Sequence, residues 1–184
     1  MTSGRGRDLD ALLSTLIRDV PDFPKPGIVF KDISPLLADH DGFVLVVEAL
    51  AAYGRDESGA VVVDKVVGIE ARGFILAAPV ALALGTGFVP VRKAGKLPGA
   101  TYQEAYALEY GEATLEVHQD AFTEGDRVLI IDDVLATGGT VDATGKLLGQ
   151  AGATVSNVAV LIELGFLCGR DRVKGTPVHA LLTV

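Results

Sequence analysis

The segment from Val128 to Thr140, VLIIDDVLATGGT, combines residue types that could bind a ligand. Its first four aliphatic residues predict a short buried strand, and its glycines and threonines predict a tight turn that opens a helix. Asp132 and Asp133 come directly after the predicted strand. Because open α/β sheets bind ligands outside the carboxyl ends of their strands, we expect the two carboxylates to face a ligand.

The turn behind these carboxylates has the composition of an anion site. Its backbone amides can point at one phosphate, aided by the amino end of the helix that follows, and the threonine hydroxyls add two donors. The glycine spacing matches neither the P-loop nor the dinucleotide fingerprint. We therefore predict a compact cup for a single phosphate, formed by Thr137, Gly138, Gly139 and Thr140.

Two ionised carboxylates beside a phosphate would repel it unless they meet hydroxyl groups or a cation. Asp132 and Asp133 therefore suggest a sugar phosphate whose neighbouring hydroxyls donate to them, with Mg²⁺ nearby. The alternative is that the aspartates only cap the next turn. The attached cup favours the ligand site.

Repeated strand and helix signals surround this segment. A strand at Val66–Ile69 leads through the polar turn EARG into a helix at Phe74–Leu84 and a strand at Phe88–Val91. A helix at Gly139–Gly149 repeats the order. The pattern predicts an α/β fold with a mainly parallel twisted sheet and helices on both faces, in one domain of 184 residues.

Three further segments complete the predicted layout. Apolar residues at helical spacing predict a first helix that continues to Val20, followed by an extended proline-rich loop at Pro21–Ile28. RKAGKLPGATYQEAY, after the strand at Phe88–Val91, is interpreted as a small mobile loop. TLEVHQ alternates, so we expect a strand with Leu115 and Val117 on its buried face and the other face exposed.

Charge and composition exclude several classes of protein. The net charge of -8 argues against nucleic acid or anionic membranes as partners. Gly73–Val91 lacks charge, but Pro79, Gly85 and Pro90 interrupt it, so we interpret it as a buried helix and strand rather than a membrane span.

The amino terminus, the cysteine and the histidines indicate the cellular compartment and the kinds of covalent or metal site to expect. The amino terminus lacks the apolar core of a signal peptide, and we expect a cytoplasmic protein. Cys168 is the single cysteine, which excludes an internal disulfide framework. The three histidines lack metal-ligand spacing, so no direct protein metal site is expected: His40, His118 and His179.

VLIIDDVLATGGT resembles the phosphoribosyl pyrophosphate (PRPP) signature of the type I phosphoribosyltransferases. The resemblance implies their fold with a small hood, a homodimer, and Mg²⁺ held mainly by PRPP. It also implies that Ala136–Thr140 bind the 5-phosphate and that Asp132 and Asp133 hold the ribose hydroxyls. The amphipathic first helix is a candidate surface for the second copy.

Four more motifs resemble the adenine-specific branch of that family, from Asp22 to about Leu164. They are DFPKPGIVFKDISPLL, GIEARGF, RKAGKLPG and YALEYG. This resemblance implies the reaction of adenine with PRPP to give AMP and pyrophosphate. Transfer to xanthine or another oxopurine is an alternative, and a PRPP-sensing regulator without catalysis is a second.

The resemblance implies that the main chain of Val29 and Lys31 binds adenine. An extended segment can match the amino donor and ring acceptor of the base with one carbonyl and one amide. Phe30 lies between them and either stacks on the base or packs in the core. Lysine stands at position 31 where arginine is also expected in relatives, which leaves the backbone role intact.

Charged residues in the other motifs supply the remaining candidates. The resemblance implies that Arg72, oriented by Glu70, holds the base or the adjoining pyrophosphate region. Three cations in five residues, following a strand in an acidic chain, are expected to meet pyrophosphate: Arg92, Lys93 and Lys96.

Glu109 is the candidate for proton transfer, a role that the resemblance assigns to the glutamate of its motif. The segment from Lys93 to Gln103 is expected to close over the substrates and exclude water before the bond to pyrophosphate breaks. One of three nearby tyrosines is a candidate to cover the closed site: Tyr102, Tyr106 or Tyr110.

Overall fold

The computed structural model describes residues 9–107 and 111–184. The backbone contacts divide the chain into two compact units, residues 1–48 and residues 49–184.

The first unit holds a small antiparallel pair of strands and short helices. Its described elements are α1 (Leu9–Leu16), β1 (Arg18–Pro21), β2 (Val29–Asp32), α2 (Ser34–Ala38) and most of α3 (His40–Ala51), whose last turn belongs to the second unit.

α1 ends at Leu16, so the prediction of a helix through Val20 is wrong. Val20 lies in β1 and pairs with Phe30 of β2. Pro21 disfavours the helical conformation for the residue before it, and the pairing with β2 satisfies the extended backbone instead. The helical spacing of the apolar residues could not reveal this partner strand.

The second unit is built on a sheet of seven strands. Its elements are β3 (Lys65–Ile69), α4 (Gly73–Leu84), β4 (Gly87–Lys93), β5 (Thr101–Ala107), β6 (Glu112–His118), β7 (Arg127–Leu135), α5 (Gly139–Gln150), β8 (Thr154–Glu163) and β9 (Val178–Thr183).

The sheet has the order β5-β6-β4-β3-β7-β8-β9. β4, β3, β7, β8 and β9 are parallel. At one edge β6 pairs antiparallel with β4, and β5 pairs antiparallel with β6. The chain steps from β3 to β4 in one direction and from β7 to β8 in the other. Because such crossovers are right-handed, α4 and α5 cover opposite faces of the sheet, as the sequence predicts.

β3 and β7 are neighbours, and the chain leaves their carboxyl ends in opposite directions. A crevice opens at such a point in an open α/β sheet, and ligands bind there. The fold therefore brings the turn after β3 and the turn after β7 to one place. These are the turns that carry Arg72 and the predicted phosphate cup.

The interpretation of RKAGKLPGATYQEAY as a loop is wrong for most of its length. Arg92 and Lys93 end β4, and Thr101–Ala107 forms β5, which pairs with β6 along its whole length. Only residues 94–100 connect the two strands. The cross-strand partner β6 lies later in the sequence, so the local composition could not indicate it.

The charge-free run that raised the question of a membrane span is α4 followed by β4, as predicted. None of the helices in the described part of the chain has both the length and the apolar character needed to cross a bilayer.

Gly68 allows α4 to pack closely on β3. A Cβ atom at this position would lie 2.7 Å from the Cβ of Ala77 on α4 and 2.8 Å from a ring carbon of Phe88 on β4. Both distances are too short for carbon atoms, so no side chain fits without a shift of the helix. The close packing fixes α4, whose first turn carries the residues after β3.

We predict that Gly68→Ala lowers the free energy of unfolding by about 1–3 kcal/mol, because it overpacks this contact. Gly149→Ala is the matched control, since a Cβ there meets open space on α5. The control should be neutral or stabilise by about 0.5–1 kcal/mol through helix propensity. Urea unfolding followed by circular dichroism measures both, and equal effects would contradict the close contact.

Candidate active site

Asp132 and Asp133 lie inside β7, which extends to Leu135, rather than behind the strand. β8 is long enough to pair with β7 as far as Leu135, opposite Glu163. The prediction that the strand ends before the carboxylates is therefore wrong, because the partner strand decides where β7 ends. Both aspartates are buried, 9% and 7% exposed.

Arg72 supplies positive charge to this carboxylate pair. It precedes α4 at the end of β3, and its Nη2 lies 2.6 Å from Oδ2 of Asp133. That oxygen accepts no hydrogen bond of good geometry from the described residues. Buried acceptors usually accept a hydrogen bond, so this oxygen is suited to accept one from a ligand, for example from a hydroxyl group.

Asp132 is held against the start of α4. Its Oδ1 accepts the backbone N–H of Asp133 at 2.9 Å and would lie 2.7 Å from a Cβ at Gly73. Glycine at position 73 therefore makes room for the carboxylate. Burial and the negative charge of Asp133 raise the pKa of Asp132 well above its usual range. Hydroxyl donors or a cation would stabilise its charged form.

The sequence interpretation has Glu70 orienting Arg72, whereas the hydrogen bonds that the structure shows for Glu70 are with the end of β4. Its Oε2 accepts hydrogen bonds from Nε of Arg92 and from the backbone N–H of Lys93, both at 3.1 Å. The pairing of β3 with β4 places Glu70 beside the end of β4. The carboxylate that partners Arg72 comes instead from β7, which is distant in sequence.

The phosphate cup follows β7 and opens α5. Gly138 precedes the helix with φ of 76°, a left-handed conformation that glycine adopts without strain. Thr137 is exposed, whereas Gly138 and Gly139 are buried. Thr140 donates its hydroxyl to the hydroxyl of Tyr106 at 3.2 Å. Of the candidate tyrosines, Tyr106 is thus placed at the cup.

The segment after β8 also contacts the cup, although its sequence suggested no role. A Cβ on Gly138 would lie 2.2 Å from the carbonyl oxygen of Gly169, and a Cβ on Gly169 would lie 2.1 Å from that of Ala136. The two backbones are in direct contact, and this is possible only because both residues are glycine. We call residues 169–172 the tail turn.

Two arginines fix the tail turn. Arg170 binds Glu163 at the end of β8 through Nε at 3.0 Å and Nη2 at 2.5 Å, and it also donates to the carbonyl of Val178. Nε of Arg172 lies 3.8 Å from Oδ2 of Asp142, in the first turn of α5. The only sequence signal for this turn is GRDR, and its partners are too far away in the chain to be recognised.

The three predicted cations are placed at one end of β4. Arg92 binds Glu70 and donates from Nη1 to the carbonyl of Lys96 at 3.1 Å. The side chains of Lys93 and Lys96 are exposed. We call residues 92–96 the basic segment. Arg92 ties this segment to the sheet, and the ammonium groups of Lys93 and Lys96 face solvent.

In the first unit, Val29 and Lys31 lie in β2. Lys31 Nζ binds Asp19 Oδ1 on β1 at 2.6 Å, so its ammonium is occupied within the unit. Phe30 is half-buried and packs edge-on against Phe23 with 5.2 Å between the ring centroids. The extended backbone expected of this segment is confirmed.

Glu109 and Tyr110 lie outside the described residues. No group of three or more histidine, cysteine, aspartate or glutamate side chains suited to a metal ion occurs in the residues that the structure describes.

Comparisons with known proteins identify relatives of the chain. Residues 37–177 match the family model described as the phosphoribosyl transferase domain. An adenine phosphoribosyltransferase of Nocardioides sp. is 69% identical over 169 residues, which cover 92% of this chain and 91% of the relative.

Solved structures with the same name are also similar. The crystal structure of adenine phosphoribosyltransferase from Rhodothermus marinus has a TM-score of 0.87 at 52% identity and covers 95% of this chain and 98% of that chain. The enzyme from Saccharomyces cerevisiae, complexed with D-2,5-dideoxy-2,5-imino-altritol 1,6-bisphosphate and adenine, has a TM-score of 0.89 at 38% identity. That comparison covers 94% of this chain and 98% of the yeast chain.

We predict that Gly169→Ala weakens the binding of ribose 5-phosphate about tenfold or more, because the new methyl group displaces the backbone of the cup. Gly149→Ala, which adds the same atom in open space, should leave the dissociation constant unchanged. Isothermal titration calorimetry measures both variants. Unchanged affinity in Gly169→Ala would show that the tail turn does not shape the cup.

Proposed function

We propose roles for individual residues from the premise that this chain belongs to the adenine phosphoribosyltransferases, within the family of the phosphoribosyl transferase domain. It transfers the 5-phosphoribosyl group of PRPP to adenine and gives AMP and pyrophosphate, a reaction of purine salvage. One observation carries the assignment of the site. Two buried carboxylates on β7 lead directly into a glycine turn that opens α5.

In our proposal, the cup binds the 5-phosphate of PRPP. The backbone amides of residues 136–140 and the amino end of α5 attract the anion, and the hydroxyl of Thr137 donates to it. The hydroxyl of Thr140 donates to the anion in place of Tyr106. Asp132 and Asp133 then accept hydrogen bonds from the ribose hydroxyls. Oδ2 of Asp133 supports this assignment: it pairs with Arg72 at 2.6 Å but accepts no hydrogen bond of good geometry from the described residues, so a ribose hydroxyl can donate to it.

Mg²⁺ is the proposed cofactor. The donors near β7 fit an ion held mainly by substrate, because two carboxylates are available and no larger acidic cluster occurs in the described residues. Magnesium commonly takes one or two carboxylates together with substrate phosphates. When bound, the ion neutralises charge on the pyrophosphate of PRPP. Asp132 and Asp133 are the residues that would contact it or its water ligands.

Departure of pyrophosphate leaves positive charge on the ribose, the electronic problem that glycoside-cleaving enzymes also face. Arg92, Lys93 and Lys96 are proposed to stabilise the leaving group. Their position at the end of β4, next to β3, supports this role because β3 leads into Arg72. Arg72, tied to Asp133, is proposed to hold the base or the adjoining pyrophosphate.

Adenine is proposed to bind the main chain of Val29 and Lys31. These residues are two apart in a strand, so their backbone polar groups point to the same edge of β2. Phe30 is proposed to contact the base with its ring. Glu109 is proposed to manage the ring proton of adenine, on the resemblance of its motif alone.

The assembly is proposed to be a homodimer in the cytoplasm. Leu12 and Leu13 of α1 are buried within the chain, so α1 offers less apolar surface than the sequence suggested. α4 instead exposes Ile75 and Leu82 at helical spacing, with Leu82 82% exposed. A helix that is apolar on all sides is usually buried on all sides, so we infer that a second copy of the chain covers the outer face of α4. The single cysteine is compatible with a reducing compartment.

The test of function is to incubate the protein with PRPP, Mg²⁺ and one base at a time: adenine, hypoxanthine, guanine or xanthine. We expect AMP and pyrophosphate from adenine only, because the base site presents one backbone edge. Chromatography of the nucleotides and a coupled pyrophosphate assay measure the products. Product from an oxopurine would contradict the base assignment, and PRPP binding without product would favour the regulator.

A variant of the carboxylate pair tests the proposed role of these residues in the same assay. Asp133→Asn keeps the shape of the side chain but removes its charge, and it should lower kcat/KM for PRPP about 10- to 100-fold. Asp120→Asn removes the same charge from an exposed position and should retain full activity.

For the assembly, we predict that Leu82→Glu shifts the protein towards the 19.1 kDa monomer, because it places a charge on the apolar face of α4. Val44→Glu, at an exposed apolar residue of α3, should leave the mass unchanged. Size-exclusion chromatography with light scattering measures the mass. Dimers of equal stability in both variants would show that α4 is not the interface.

A further inference from the structure

The turn of residues 94–100 is held at its centre by bonds to the main chain of Lys96. The N–H of Lys96 donates to Oε1 of Glu116 at 2.8 Å, and its carbonyl accepts from Nη1 of Arg92 at 3.1 Å. The N–H of Leu97 donates to the same oxygen of Glu116 at 2.7 Å. Both polar groups of the Lys96 backbone are therefore fixed, while its ammonium extends into solvent.

Glu116 reaches the turn from β6. It is 2% exposed, although the alternation of TLEVHQ predicted that its face would be exposed. Leu115 and Val117 point to the opposite face, in the core. Burial opposes the charge of Glu116, but the backbone donors of Leu97, Gly95 and Lys96 together lower its pKa. The carboxylate is thus ionised and bound to the turn.

Arg92, which binds the carbonyl of Lys96, is itself positioned by the carboxylate of Glu70. Glu70 accepts from Nε of Arg92 and also from the N–H of Lys93. Glu70 directly follows β3 and Glu116 lies in β6, and they hold the turn differently: Glu70 through Arg92, and Glu116 by direct bonds to the main chain. The main chain of the basic segment is consequently bound to the sheet through these two carboxylates.

The folding of the turn does not need a buried carboxylate. Most residues of the turn are exposed, so water could hydrate the amides that Glu116 binds. Burying a charge for these bonds has a desolvation cost that an apolar side chain in the sheet would avoid. A role in holding Lys96 in a set conformation explains why the carboxylate is there.

We propose that Glu116 is a positioning residue that sets the conformation of the Lys96 turn before substrate binds, so that the Lys96 ammonium is presented to pyrophosphate. This inference rests on the proposed function of the basic segment. A turn that is already ordered loses less conformational entropy when it binds an anion. Glu116 does not touch substrate and acts through the backbone of Lys96.

The central test measures binding of magnesium pyrophosphate by calorimetry in Glu116→Gln, Lys96→Ala and the double variant. Glutamine keeps an acceptor oxygen but loses the charge that strengthens the bonds from the turn. We expect each single variant to bind about tenfold more weakly. The double variant should bind no more weakly than Lys96→Ala, because Glu116 acts only through that lysine. Additive losses would overturn the proposal.

Two readouts separate positioning from a general loss of structure. In Glu116→Gln, hydrogen exchange should accelerate at the amides of Lys96 and Leu97 and stay unchanged in β7. The KM for PRPP should rise about tenfold while the KM for adenine and the Tm stay within error. A parallel rise of both KM values with a fall in Tm would overturn the proposal in favour of a structural role.

The control variant is Glu124→Gln, which removes one negative charge from an exposed position and should behave as the unmodified protein. Faster exchange at Lys96 with unchanged pyrophosphate affinity would also overturn the proposal. Failure of the proposed function is distinguishable, since it appears as absence of AMP formation by the unmodified protein. The pyrophosphate titrations do not depend on turnover.

Discussion

The site depends on the burial of two adjacent carboxylates in β7. A buried negative charge must be compensated by donors or by positive charge, and here Arg72 approaches Asp133 from the turn after the neighbouring strand β3. Gly73 leaves room for Asp132 directly beside it. Even so, Asp132 has a raised pKa, and one oxygen of Asp133 lacks a well-aligned donor from the described residues. The protein thus keeps two acceptors that a substrate with hydroxyl groups can satisfy.

Close contacts between backbones give the cup its shape. Gly138 adopts a left-handed conformation at the start of α5, and the carbonyl of Gly169 lies against it. Arg170 anchors the segment that brings Gly169 there through two bonds to Glu163 at the end of β8. The shape of the glycine turn therefore depends on both ends of the β7–α5–β8 unit, and a substitution at Gly169, far from the signature motif, can alter it.

The electrostatics of the second unit combine local positive charge with an acidic chain of net charge -8. The cations at the end of β4 are not a separate basic surface, because carboxylates position them. Glu70 and Glu116 hold the backbone and the arginine of the turn, and they leave the ammonium groups of Lys93 and Lys96 in solvent. Acidic residues thereby order a turn whose ammonium groups face solvent.

The sequence by itself determined the order of strands and helices around the site and the chemistry of its signature. Runs of aliphatic residues followed by Asp132, Asp133 and a glycine turn are local patterns, and neighbouring residues are sufficient to produce them. The same local reasoning placed the helix after Arg72 and the extended backbone of β2.

Only the tertiary structure decided which side chains meet. Val20 joins a strand because β2 pairs with it, and Glu70 binds Arg92 because β4 lies beside β3. Glu116 is buried because the turn after β4 folds over it, and Gly169 reaches the cup from the end of β8. Each contact joins segments distant in the chain, and it forms through sheet pairing and packing rather than through any pattern of neighbouring residues.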